Sequence, residues 1–153
     1  MISEQIFDQL LEVSVLFQAD MDRSLGALGL TVTKTHLLWE VHQQGPCAQQ
    51  RLAEALGVSA RHVTGLVDAL ESAGFVRRSP HPHDRRVVLV GLTDKATETV
   101  NHMQQQRSRD AAALVAGLDA STTEALRSSL DTVLIRLRRL VADAGSNHGG
   151  EAR

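Results

Sequence analysis

The chain has no tyrosine, one tryptophan and three phenylalanines among its 153 residues. A core with so few rings has to be filled by Leu, Val and Ala, which favours helix packing over a sandwich of sheets. A single cysteine, Cys47, excludes an internal disulfide framework and fits a reducing compartment. No apolar run approaches the roughly 18–20 residues needed to span a bilayer. The opening MISEQIFDQL has no basic stretch leading into an apolar one, as a secretion signal would. The expectation is a cytoplasmic protein without a membrane partner, either one domain or one domain plus an extension used for assembly.

The formal net charge of -2 is unevenly spread. Residues 1–50 hold six acidic and two basic side chains, and residues 94–153 hold eight of each. Residues 51–93 hold six arginines and no lysine against Glu54, Asp68, Glu71 and Asp84, with His62, His81 and His83 besides. The one positive segment is therefore built from guanidinium groups, whose planar fork suits phosphates and base edges better than an ammonium does. A solvated surface would show the same charge, so the pattern has to be read with the elements that carry it.

From Ser3 to Leu25 apolar residues recur at helical spacing on two lines, Ile6, Leu10, Val13, Phe17 and Met21 on one, Phe7, Leu11 and Val15 on the other. A helix apolar on two faces needs two neighbours, which points to a subunit interface. Thr33 is the expected cap of the next helix, which carries Leu37, Leu38 and Val41 inward and stops at Gly45-Pro46. Two short helices follow. The first carries Leu52, Ala53 and Leu56, Gly57-Val58 turns the chain, and Ser59 caps a second helix with Val63, Leu66, Val67 and Leu70 inward. Then RRSPHPHDRR separates Phe75-Val76 from the β-branched run Val87 to Val90, the pattern of a two-stranded hairpin with its tip at Pro80 to Arg85. Thr93 is placed to cap a long helix over about 94–117. STTE, Ser121 to Glu124, reads as a capping box for a last helix with an apolar stripe from Leu126 to Val141. Residues 144–153 are Gly-rich and expected to be disordered.

With Val63, Leu66, Val67 and Leu70 inward, the second short helix turns Arg61, Gly65, Asp68 and Ser72 outward, flanked by His62 and Thr64. Polar donors in the first turns of an exposed, well-capped helix are what entry into a DNA major groove requires. Arg61 suits guanine or phosphate, and Thr64 or His62 either at lower precision. Gly65 is costly inside a helix, by about 1 kcal/mol against Ala, and is explained either by close approach of a partner or by tolerance.

The stretch from Gly29 to Thr93, through LAEALGVS, VTGLVDALESAGFV and DRRVVLVGLT, resembles the winged helix-turn-helix core of MarR-family transcriptional regulators. The resemblance implies a mainly α fold with a small β-wing: a winged helix-turn-helix DNA-binding domain over 31–93, and helical dimerisation regions over 1–30 and 94–143. It implies a homodimeric, sequence-specific regulator, a repressor released from a pseudo-palindromic double-stranded operator by a small-molecule effector. Contacts to DNA would come from Arg51, Ser59, Ala60, Arg61, His62, Thr64, Gly65, His83, Asp84, Arg85 and Arg86. Arg85 would reach the minor groove, and Asp68 would pair with Arg86 as a brace of the wing. Phe17, Asp20, His36 and Trp39 would line the effector cleft. The chain departs from the family pattern at Ala96, where glycine is usual after Leu92-Thr93, and at Ala48, where a Ser or Thr cap is usual. Arg51 stands where an acidic residue is common, and Gly65 where a larger one is.

Other readings compete with this one. His81, His83 and His62 suggest a metal, but HPH supplies two ligands around a stiff proline and Cys47 is remote in sequence, so neither a metal nor another cofactor is assigned. Cys47 precedes a helix, as a reactive thiol can. In the branch of the resembled family that responds to organic hydroperoxides, however, the reactive cysteine lies in the first helix with tyrosines supporting it, and this chain has no tyrosine. No nucleophile, base and orienting group form a readable set, so an enzyme is not expected. A winged helix used only for protein contacts has no need of arginine at the wing tip.

Overall fold

The computed structural model describes residues 1–147, which divide into two compact units, the first closing at Gln104 and the second beginning at Gln105. In the first unit, helix α1 (Ile2–Ala27) precedes α2 (Val32–Gln44), a two-residue strand β1 (Cys47–Ala48), the short helices α3 (Gln49–Leu56) and α4 (Ala60–Ser72), a hairpin of β2 (Val76–Pro80) and β3 (Val88–Leu92), and the start of α5 (Asp94–Leu114). The fold is mainly α with a small antiparallel sheet, as expected, but the sheet has three strands in the order β1-β3-β2. Cys47 pairs with Val90 and Ala48 with Leu89, while β2 runs against β3 from Val76 opposite Leu92 to Pro80 opposite Val88.

Helix ends follow local chemistry, with one shift from expectation. Thr31, not Thr33, caps α2: its Oγ1 accepts the Lys34 N–H at 3.3 Å. Thr33 lies inside the helix. Ser59 caps α4 as expected, accepting the His62 N–H at 3.1 Å. Between the two short helices Gly57 takes the left-handed conformation, φ +65, which closes α3 without a Cβ penalty. Thr93 caps α5, accepting the Ala96 N–H at 3.2 Å while its hydroxyl donates to the Gly74 carbonyl at 2.7 Å. One side chain thus joins the end of β3, the start of α5 and the turn after α4. Ala96, in the place of the family's glycine, is fully buried against the same core.

That core is aliphatic. Leu37, Leu38, Leu52, Val63, Val67, Leu70, Val90 and Val100 are all but inaccessible to solvent, and Phe75 is the one aromatic side chain among the buried residues. Leu66, Trp39 and Leu56 pack against it from the edge. Helix α1 behaves differently: none of its residues is buried, and Ile6, Phe7, Leu11, Val13, Val15, Phe17 and Met21 are exposed.

The second unit holds the end of α5 and helix α6 (Ala120–Asn147). The capping box read at Ser121 is not the device that starts α6. Asp119 is: its Oδ1 accepts the Thr122 N–H at 2.7 Å and the Ser121 hydroxyl at 3.0 Å. These bonds, the backbone one foremost, hold the Asp119 carboxyl below its usual range. Glu124 is engaged by Arg127 instead. Along α6, Leu126, Leu130, Leu134, Ile135, Leu137, Leu140 and Val141 are exposed. The helix continues to Asn147, so the first four residues of the expected disordered tail are helical, and the rest, 148–153, lie outside the described residues. No helix among the described residues is long and apolar enough to cross a membrane.

Candidate nucleic-acid interface

Helix α4 presents the outer face that its periodicity implied. Val63, Val67 and Leu70 are buried, Leu66 is half-buried, and Ser59, Ala60, Arg61, His62, Thr64, Gly65, Asp68 and Ser72 are exposed. The Ser59 cap leaves the first turn of α4 facing outward with Arg61 and His62 beside it, and the positive end of the helix dipole favours an anion there.

The charge on this face is arranged by a residue that sequence reasoning passed over. Arg78 lies on β2, two residues after the buried Val76 and so on the same side of the strand. Its Nη2 meets Asp68 Oδ1 at 2.6 Å, its Nη1 meets Glu71 Oε2 at 2.5 Å, and its Nε donates to Gln49 Oε1 at 3.2 Å. The Arg78 backbone N–H also donates to Glu71 Oε1 at 3.0 Å, so that carboxylate grips backbone and guanidinium together. Gln49 completes the network by donating from Nε2 to Thr64 Oγ1 at 3.0 Å. The arginine side chain is only 26 % exposed. Burial works against its charge, but the bonds from Asp68 and Glu71 outweigh that and hold the guanidinium above its usual range. In return the Glu71 carboxyl is held low, first by the Arg78 backbone N–H and then by the guanidinium.

The brace expected between Asp68 and Arg86 is therefore corrected. Asp68 does have an arginine partner, but it is Arg78, on the strand that packs against α4. Arg86 forms no side-chain ion pair among the described residues; its backbone N–H donates to Asp84 Oδ1 at 3.0 Å. Asp68, the acidic group in the middle of the α4 face, is thus paired with a guanidinium, and α4 is tied to the wing through β2.

The wing tip is a set of local turns. Asp84 accepts the Arg86 N–H through its carboxylate and the Val87 N–H through its carbonyl, and His81 N–H donates to the Val87 carbonyl at 2.9 Å. The His81 ring has a structural task as well: its Nδ1 accepts the His83 N–H at 3.1 Å and the Asp84 N–H at 3.2 Å, which places the ring proton on Nε2. His83, Asp84, Arg85 and Arg86 stand exposed around this turn. Arg77 on β2 is exposed too, a cation that the sequence reading did not select.

The remaining candidates are scattered. Arg51 is exposed at the start of α3, with its Nε committed to Gln44 Oε1 at 2.6 Å at the end of α2. Cys47 is buried in β1. Burial, with Glu40 second, pushes its thiol up against the opposing pull of Arg51, the reverse of what an activated thiolate needs. Phe17 and Asp20 are exposed on α1 and His36 on α2, whereas Trp39 sits half-buried at the edge of the core with its ring edge-on to His42. In the same helix the Thr35 hydroxyl is buried and has no hydrogen-bond partner among the described residues.

With this geometry in place, similarity to known proteins can be set beside it. The MarR family model matches residues 30–88. The HTH-type transcriptional regulator YhbI of Bacillus subtilis is 28% identical over 124 residues, covering 81% of this chain and 80% of its own length. Among solved structures, RV1404 from Mycobacterium tuberculosis aligns with a TM-score of 0.73 at 27% identity, over 86% of this chain and 91% of its own. The Staphylococcus aureus MepR-DNA complex aligns with a TM-score of 0.73 at 24% identity, over 82% and 95%, which establishes likeness of fold.

Proposed function

We propose that this chain, whose residues 30–88 match the MarR family model, is a homodimeric, sequence-specific DNA-binding regulator of transcription rather than an enzyme. The observation that carries the reading is the pairing of an exposed, Ser59-capped α4 with a wing whose tip bears free arginines, the two tied together by Arg78. In this reading α4 enters the major groove, and Arg61, His62 and Thr64 approach base edges or phosphate. Arg51 and Ala60 lie at its flanks, and Arg85 reaches the minor groove with His83 and Arg86 near the backbone. The MepR structure, solved with DNA, supports double-stranded DNA as the partner for this fold.

Two recognition helices in one assembly would read half-sites about 10 bp apart on a pseudo-palindrome. The exposed apolar lines of α1 and α6 support the dimer, since soluble chains rarely leave such faces in water. On this basis residues 1–30 and 94–143 serve dimerisation and 31–93 serve DNA. We further propose a repressor released by a small-molecule effector, with Phe17, Asp20, His36 and Trp39 as its contacts.

The test is salt. Affinity of the full chain for a duplex footprint recovered from the source genome should fall steeply between about 50 and 200 mM salt, because each phosphate contact releases a counterion. A flat response would mean that the wing serves protein contacts instead.

A further inference from the structure

Thr64 is exposed in the second turn of α4, yet its hydroxyl is already occupied. It donates to the Ala60 carbonyl at 2.9 Å and accepts from Gln49 Nε2 at 3.0 Å. Gln49 is itself held, because its Oε1 accepts from Arg78 Nε and Arg78 is fixed by Asp68 and Glu71. A hydroxyl has one proton to donate, and that of Thr64 is committed inside the helix. Beyond one remaining acceptor lone pair, the group it can still offer to a base edge is its γ-methyl.

Next to it stands Gly65, whose backbone is ordinary helix and not the left-handed form that favours glycine. A Cβ built on Gly65 would meet nothing within 4 Å, so the fold does not require the missing side chain. On the outer face of α4, the exposed Thr64, its hydroxyl proton committed, therefore stands beside an open gap at Gly65, between Arg61 and the Arg78-paired Asp68. In the major groove thymine is the one base that offers a methyl, at C5. We infer that Thr64 and Gly65 form a thymine-methyl reader. In each half-site α4 selects an A·T pair through the C5-methyl, and Gly65 lets the helix approach closely enough for that contact. Thr64 is thus a specificity residue acting through its methyl, and Gln49 and Arg78 are positioning residues that keep the hydroxyl turned away. The inference rests on the DNA-binding function proposed above.

The experiment uses the full chain and a duplex that it selects from a random-sequence library. Each thymine is replaced in turn by deoxyuridine, which removes only the methyl. One thymine per half-site should show a loss of about fourfold, the size expected for one buried methyl. Thr64→Val, which keeps the methyl and drops the hydroxyl, should retain that sensitivity. Thr64→Ser, which does the opposite, should still bind but no longer distinguish thymine from uracil. If no uracil replacement matters to the wild-type chain, or if Thr64→Ser keeps the sensitivity and Thr64→Val loses it, the inference is overturned. The uracil series needs no variant, so misfolding cannot mask the answer. A wild-type chain that selects no duplex at all would overturn the DNA reading itself, a result distinct from selection without methyl dependence.

Discussion

The basic middle of the chain contains two kinds of arginine. Arg78 is largely enclosed and engages two carboxylates and an amide, whereas Arg85 and Arg86 stand exposed at the wing tip without an ion pair among the described residues. The residue type is the same, but the first is structure and the second is available surface. Counting charges along the segment merges them. Because Asp68 and Glu71 are engaged by Arg78, the positive charge left to meet a polyanion lies with the exposed arginines, Arg51 on α3, Arg61 on α4 and Arg77, Arg85 and Arg86 on the hairpin. The enclosed arginine sets where α4 stands; the exposed ones set how strongly the surface attracts.

The sharpest way to break this distinction is to remove one arginine of each kind. Arg78→Met leaves Asp68 and Glu71 close together without their cation, and should lower unfolding free energy by about 2 kcal/mol, the scale of hydrogen bonds to charged groups. DNA affinity should fall with it, because α4 loses its tie to β2. Arg85→Ala should leave the unfolding midpoint nearly unchanged, within about 0.5 kcal/mol. It should weaken binding to a selected duplex about tenfold, the loss expected for one specific arginine contact. Urea unfolding and fluorescence anisotropy on both variants supply the four numbers needed. Equal losses of stability would erase the distinction.

A smaller effect tests which arginine braces the recognition helix. Asp68 and Arg78 are joined at 2.6 Å with the carboxylate largely exposed, so their coupling in a double-mutant cycle should be about 1 kcal/mol or less. Asp68 and Arg86 should behave additively in the same stability measurement. Coupling to Arg86 in DNA affinity, with none to Arg78, would restore the brace that the resemblance implied and count against the geometry observed here.

The reason Arg86 was selected and Arg78 overlooked lies in what a linear pattern conveys. The helix-turn-helix was legible because its signals are local: Gly57 directly after Leu56 at the end of α3, Ser59 before the first turn of α4, and inward Val and Leu at helical spacing. The hairpin was legible from its β-branched run and its prolines. The Arg78 pairing joins elements through space, and only strand alternation from the buried Val76 could have placed that arginine toward α4. Strand β1 escaped because two residues carry no period. The caps of α2 and α6 were misplaced by two residues for a related reason: Thr31 and Thr33, or Asp119 and Ser121, are equally good cap residues, and only the observed N–H partners separate them. The His81 ring acts on the chain immediately after it, but its residue type advertises metal and proton chemistry more loudly than turn formation.

Gly65→Ala is expected to change stability modestly and in the opposite direction to Arg78→Met, and that sign is what makes it informative. The added methyl group meets no neighbour within 4 Å and the backbone is already helical, so the variant should be more stable, by up to about 1 kcal/mol from helix propensity. If the gap at Gly65 admits a thymine methyl, affinity for the selected duplex should nevertheless fall several-fold, while the salt dependence stays as in the wild-type chain because no phosphate contact is lost. Three positions then give three different signatures: at Arg78 stability and binding fall together, at Arg85 binding falls alone, and at Gly65 they move in opposite directions. A Gly65→Ala chain that is more stable and binds as well as before would show that the gap is idle, and would leave Thr64 to read its base without it.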